Sequence, residues 1–126
     1  MDHEHTILFV DDEPEVRKAL ARVVRQEPYS AIFAGSGQEA LNIMSLQAVH
    51  IIVTDMQMAE MDGIGLLEQV ARRFPLTTRL VLSGVDDSTA ILNAIRAGQI
   101  YRYILKPWDT HELRLTIRQA LELYKL

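Results

Sequence analysis

Ile51-Ile52-Val53-Thr54-Asp55-Met56-Gln57-Met58-Ala59-Glu60-Met61-Asp62-Gly63 is the stretch that decides the fold. Its β-branched opening is apolar at consecutive positions, the pattern of a central parallel strand covered on both faces by helices. The run, taken as His50 to Thr54, ends in a carboxylate; a polar turn follows, and Asp62-Gly63 opens a helical pattern. In open α/β sheets ligands bind beyond the carboxyl ends of the strands. A single aspartate after a strand more often opens a turn than carries chemistry. The weight of Asp55 therefore depends on what the other strand ends carry.

Upstream, Ile7-Leu8-Phe9-Val10 reads as a buried strand ended by Asp11-Asp12-Glu13-Pro14. Proline suits a first helical turn, and the acids before it favour the positive end of the helix dipole. Val16, Leu20, Val23 and Val24 then form an apolar helical stripe. Ser30 to Ala34 is a second strand, broken by Gly35-Ser36-Gly37, and Ala40, Leu41 and Met44 mark a second helix. Downstream, Leu67, Val70, Ala71 and Phe74 line the third helix, which Pro75 helps to end. Arg79-Leu80-Val81-Leu82 is a fourth strand running into Ser83-Gly84. Asp87 to Ala97 is a fourth helix, with Ile91, Ala94 and Ile95 inward and Gly98 as its cap. Tyr101 to Leu105 is a fifth strand ending in Lys106-Pro107. A fifth helix starts near Asp109-Thr110, with Leu113, Ile117, Ala120, Leu121 and Tyr124 on its core face.

Five strand–helix repeats predict one α/β domain over residues 1–126, core about 6–124. The expected architecture is a flavodoxin-like, doubly wound five-stranded parallel sheet of order 2-1-3-4-5 with five helices. Composition agrees: 126 residues, 48% hydrophobic and 24% charged, are ordinary for a globular domain. No apolar run is long enough to span a bilayer. The absence of cysteine fits a cytoplasmic location. A net charge of -4 argues against direct nucleic-acid binding.

The 2-1-3-4-5 order sets the first and third strands side by side, with Asp11, Asp12 and Asp55 at their ends. Like charges in one cleft call for a hard divalent cation, a protonated carboxyl or a lysine. Oxygen donors without neighbouring histidine or thiolate point to Mg²⁺ or Mn²⁺ rather than zinc. Lys106, ending the fifth strand, supplies an ammonium suited to a phosphoryl oxygen, and Ser83, ending the fourth, a hydroxyl. A nucleophilic carboxylate, a metal, a lysine and a hydroxyl are the parts needed to make and hold an aspartyl phosphate.

These residues carry a family resemblance. Asp11-Asp12, Asp55 with Met58-x-x-Met61-Asp62-Gly63, Leu82-Ser83-Gly84 and Tyr103-x-x-Lys106-Pro107 resemble the response-regulator receiver domain, over roughly Thr6 to Tyr124. The resemblance implies that Asp55 accepts a phosphoryl group from a phosphohistidine on a sensor kinase or phosphotransfer protein. It implies that Asp12, Asp55 and the Gln57 backbone carbonyl hold Mg²⁺ directly, with Asp11 acting through water. Ser83 and Lys106 would contact the phosphoryl oxygens, and Tyr103 would be the switch aromatic that follows Ser83. It further implies a cis Lys106–Pro107 peptide. The chain would catalyse only its own phosphorylation and dephosphorylation. The face of the fourth helix, fifth strand and fifth helix would repack and bind a partner or a second copy. Lys106-Pro107-Trp108-Asp109 also resembles receivers joined to HD-GYP-type phosphodiesterases; this chain would then be a regulatory fragment without its output domain.

Departures from the pattern are Ala59, where the family usually has proline, and the non-acidic Gln57 and Val85, at positions that tune phosphate loss. Two other classes compete. A haloacid-dehalogenase-like phosphatase needs a second acid two residues after the nucleophile, where Gln57 stands. A pseudo-receiver would keep the fold without the chemistry, against which the intact acidic cluster and Lys106 argue. His3, His5, His50 and His111 show no shared metal spacing, Met56, Met58 and Met61 are expected to pack, and Trp108 is placed at the site rim or over the sheet edge. Leu115, Leu123 and Leu126 form a second stripe on the last helix.

Overall fold

A computed structural model describes residues 4–125, excepting the side chains of Val85 and Lys125; His3 and Leu126 lie outside the described residues. The elements run β1 Thr6–Val10, α1 Pro14–Val24, β2 Ser30–Ala34, α2 Gly37–Leu46, β3 Ile51–Asp55, α3 Gly63–Arg73, β4 Thr78–Ser83, a 3₁₀ turn Val85–Asp87, α4 Ser88–Arg96, β5 Arg102–Leu105 and α5 Thr110–Lys125. The sheet is five-stranded and parallel, in the order β2-β1-β3-β4-β5. This is the flavodoxin-like arrangement that the alternating pattern predicts.

Strand alternation sorts the core into two layers. Leu8, Val10, Ile52 and Val81 pack with α2, α3 and α4 through Leu41, Leu67, Val70 and Ile91. Ile7, Phe9, Ile51, Val53, Leu80 and Leu82 pack on the other face with Leu20 of α1 and Leu113 and Ile117 of α5. Neighbouring side chains of one strand point to opposite faces, so strands covered on both sides must be apolar throughout. β1 and β3 are: Ile7 to Val10 and Ile51 to Val53 are fully buried.

Helix ends follow the local chemistry. Pro14 takes the first position of α1, Ser36 caps α2 by accepting from Glu39 N–H, and Asp62 caps α3 by accepting from Gly65 N–H. Gly98, at φ +73°, ends α4: its N–H donates to Ile95 O and that of Gln99 to Ala94 O.

Three helix faces differ from expectation. In α3, Leu66 joins Leu67 and Val70 as fully buried, Phe74 is partly buried and packs against the same core, and Ala71 is only partly buried. In α4, Ile95 is 41% exposed because a cavity separates this helix from β5. In α5, Tyr124 is 38% exposed. A sixteen-residue helix is about 24 Å long against about 17 Å for a five-residue strand, so its last turn overhangs the sheet. The Tyr124 ring meets those of His5 and His50 edge-on at 6.0 and 5.2 Å. Met56 is buried, Met58 and Met61 pack against the same core, and half-buried Trp108 packs against the layer formed by α1 and α5, lining a surface pocket with Val23 and Arg114.

Candidate functional site

Register brings the strand-end residues together. Val10 pairs with Thr54, so the next residues, Asp11 and Asp55, leave the sheet at one level. Asp55 pairs with Leu82 and Ser83 with Leu105, which brings Lys106 alongside. The Lys106 N–H donates to Ser83 O at 2.8 Å.

At the centre, Lys106 Nζ lies 2.7 Å from Asp55 Oδ1 and 3.5 Å from Asp11 Oδ2. Asp11 is fully buried and Asp55 is 7% exposed, whereas Asp12 is open to solvent. Asp11, Asp12 and Asp55 each present a carboxylate oxygen within 4.8 Å of the others. Asp11 Oδ1 accepts the Glu13 N–H, and its backbone carbonyl accepts from Arg17 Nη1.

The electrostatics follow from this packing. Burial pushes the Asp11 carboxyl above its ordinary range; the Glu13 N–H opposes this, while the charge of Asp55 adds to it. Burial alone would lower the Lys106 ammonium, but the hydrogen bond and charge of Asp55, with help from Asp11, leave it raised. Lysine is thus the present counter-ion of the acidic pair.

The loop after β3 is held at both ends. The Gly63 N–H donates to Met56 O, and a Cβ on Gly63 would stand 2.1 Å from Asp55 O. Only glycine lets α3 start this close to the end of β3. Ala59 has a consequence that the sequence reading did not foresee: its N–H donates to Asp12 Oδ2 at 3.1 Å. Proline has no such donor, so alanine at this position adds a tether between the loop and Asp12. Glu60 follows at φ +60°.

Ser83 is buried and lines a cavity of about 260 Å³ between α4 and β5, with Ile91, Ile95, Tyr103 and Leu105. Tyr103 stands on its outer rim, 44% exposed. The Lys106–Pro107 peptide is cis. His5 and His50 lie at the opposite end of the sheet and His111 is exposed on α5, so these three share no site with the carboxylates. The residue that sequence reasoning missed is Asp87. It is 8% exposed, and its carboxylate accepts from Gln57 Nε2 and Gly84 N–H, both at 2.9 Å. Its spacing from Gly84, Gly84-x-x-Asp87, is a local signal of loop capping, but nothing local points to Gln57.

Comparison with known proteins now bears on this geometry. Residues 7–118 match the family model described as the response regulator receiver domain. The chain is 37% identical over 121 residues to the hydrogenase transcriptional regulatory protein HoxA of Cupriavidus necator, covering 96% of this chain and 25% of that protein. HoxA of Bradyrhizobium diazoefficiens is 33% identical over 126 residues, covering all of this chain and 26% of that protein. This chain thus spans about a quarter of the length of these relatives. Among solved structures, the signal receiver domain of an HD domain-containing protein from Pseudomonas fluorescens Pf-5 superposes with a TM-score of 0.91 at 36% identity, covering 96% of this chain and 97% of that one. With this fold and this match, the chain belongs to the receiver-domain family of two-component response regulators.

Proposed function

We propose that Asp55 is the phospho-acceptor of this receiver. The observation that carries the reading is the Lys106 ammonium 2.7 Å from Asp55, with oxygens of Asp11 and Asp12 within 4.8 Å of the Asp55 carboxylate. An Asp55 carboxylate oxygen attacks the phosphorus of a phosphohistidine on a sensor kinase or phosphotransfer protein. The P–N bond breaks and the imidazole leaves with its electron pair. Lys106 and the Ser83 hydroxyl then donate to the phosphoryl oxygens, where preorganised donors matter most. The only catalysis is on the chain's own carboxylate.

The donor set fits Mg²⁺, with Mn²⁺ as a substitute: three converging carboxylates supply hard oxygen ligands, with no histidine among the described residues beside them. Asp12, Asp55 and the Gln57 carbonyl would hold the ion, with Asp11 behind them through water. Bound there, it would supply charge neutralisation of the phosphoryl oxygens.

The output side of the reading is the α4–β5–α5 face. Leu92, Ile95, Tyr103, Leu105 and Leu115 are each at least 41% exposed, and Tyr103 adjoins the cavity behind Ser83. Movement of Ser83 toward a phosphoryl group would open that cavity to the Tyr103 ring and re-form the face for a partner, a second copy or an output domain. An HD-GYP-type output is favoured by Trp108 after Pro107 and by the likeness to the receiver of an HD domain-containing protein. The reading treats residues 6–124 as the single functional unit and places it in the cytoplasm, where kinase phosphohistidines form. Among the described residues no helix is long and apolar enough to cross a membrane.

The test is intact mass after incubation with Mg²⁺ and acetyl phosphate. Wild type should gain one phosphoryl group, with no gain when Mg²⁺ is chelated before acetyl phosphate is added, and Asp55→Asn should gain none. No gain in folded wild type would overturn the reading in favour of a pseudo-receiver.

A further inference from the structure

Two loops must move relative to each other for this site to switch, and one buried carboxylate joins them. Gln57 lies two residues beyond Asp55 on the loop leaving β3, and Gly84 directly follows Ser83 on the loop leaving β4. Asp87 accepts from the Gln57 side chain with Oδ1 and from the Gly84 N–H with Oδ2. Its own N–H donates to Gly84 O at 3.2 Å, so the carboxylate is anchored to the second loop and reaches across to the first. In this arrangement Ser83 lines the cavity under Tyr103, and Asp55 is bonded to Lys106.

We propose that Asp87 is a positioning residue whose carboxylate ties the β3–α3 and β4–α4 loops together and weights the site toward its resting arrangement. The proposal rests on the reading of Asp55 as phospho-acceptor. Bringing the Ser83 hydroxyl to a phosphoryl oxygen on Asp55 displaces Gly84, the adjacent residue, and the bridge to Gln57 has to stretch or break. A contact made in one state and lost in the other biases the equilibrium by its own free energy. Asp87 touches neither phosphate nor metal in this account; it acts through Gln57 and Gly84.

The experiment is titration of beryllofluoride with Mg²⁺ into wild type, Asp87→Ala, Gln57→Ala and the double variant. In nuclear magnetic resonance the Gln57 side-chain amide signal reports whether the bridge is present, and the Gly84 amide signal whether Asp87 is still anchored to its own loop. Loss of the Gln57–Asp87 hydrogen bond, which both single variants remove, should tighten binding roughly 3- to 10-fold in each. The double variant should bind no tighter than the tighter single, because both remove the same bridge. Asp87→Asn, which keeps an acceptor oxygen, should lie nearer wild type. Should Asp87→Ala fail to fold, Gln57→Ala and Asp87→Asn carry the same comparison. Unchanged or weaker binding in folded variants, or additive effects in the double, overturns the proposal while leaving the phospho-acceptor reading intact. A wild type that binds no beryllofluoride overturns both.

Discussion

The two ends of the central strands β1 and β3 are built on opposite electrostatic principles. At the amino ends the polar groups are uncharged or matched. His50 Nδ1 accepts the Thr6 N–H at 2.9 Å, His50 N–H donates to Thr6 O, and Thr77 Oγ1 donates to Val49 O at 2.7 Å. Nearby, buried Glu27 is met by both arms of Arg118. At the carboxyl ends three carboxylates crowd within 4.8 Å, and one lysine serves two of them. Both ends cap the same pair of strands. One is arranged for stability; the other keeps charges together that folding alone would separate, and such concentrated strain on ionisation marks functional sites.

The largest test of that contrast is Lys106→Ala. It removes the donor facing Asp55, and phosphorylation by acetyl phosphate should slow by roughly 100-fold or more, the usual effect of losing one preorganised donor. Rates from intact mass over time would measure it. An unchanged rate would reduce the lysine to a structural counter-ion.

Next comes Asp11→Asn. The variant keeps an acceptor for the Glu13 N–H while deleting a buried charge, so it should raise stability by about 1 kcal/mol in urea unfolding and impair phosphorylation. The sign follows from the raised Asp11 carboxyl: the folded state disfavours the ionised form, so wild type gains stability as pH falls through that raised value. Destabilisation by Asp11→Asn would mean that the acidic cluster holds the fold together.

At the amino end, removing a polar group should cost nothing in function. The Tyr29 hydroxyl is buried with no hydrogen-bond partner among the described residues, and burial, with the charge of Glu27, pushes it above the ordinary tyrosine range. Tyr29→Phe should therefore be neutral to stabilising by up to about 1 kcal/mol, with phosphorylation unchanged. The smallest effect concerns His50. Burial first, then the charge of His5, holds it below its ordinary value. Its contribution is fully present above about pH 6.5 and lost as pH falls through the lower folded value. His50→Gln should flatten that part of the urea-midpoint profile below pH 6.5.

The same contrast explains what could be read in advance. Asp11, Asp12, Asp55, Ser83 and Lys106 are legible because strands are short, apolar and periodic, and each of these residues marks where one stops. Parallel order then carries them to one edge without knowledge of any loop. Asp87 was beyond reach, since its bond to Gln57 spans thirty residues and depends on two loop conformations. The Ala59 tether to Asp12 is hidden for the same reason, as a backbone donor leaves no side-chain signal. Ile95 and Tyr124 were misplaced because helical periodicity shows which residues share a face, and not where the sheet beneath ends.

The most direct measurement of the central claim is the structure of the chain with Mg²⁺ and beryllofluoride. The account predicts beryllofluoride on Asp55, Lys106 Nζ and Ser83 Oγ within hydrogen-bond distance of its fluorines, and a cation held by Asp12, Asp55 and the Gln57 carbonyl. Beryllofluoride absent from Asp55 at saturating concentration, or bound there with Ser83 still in its cavity and Lys106 turned away, would contradict it.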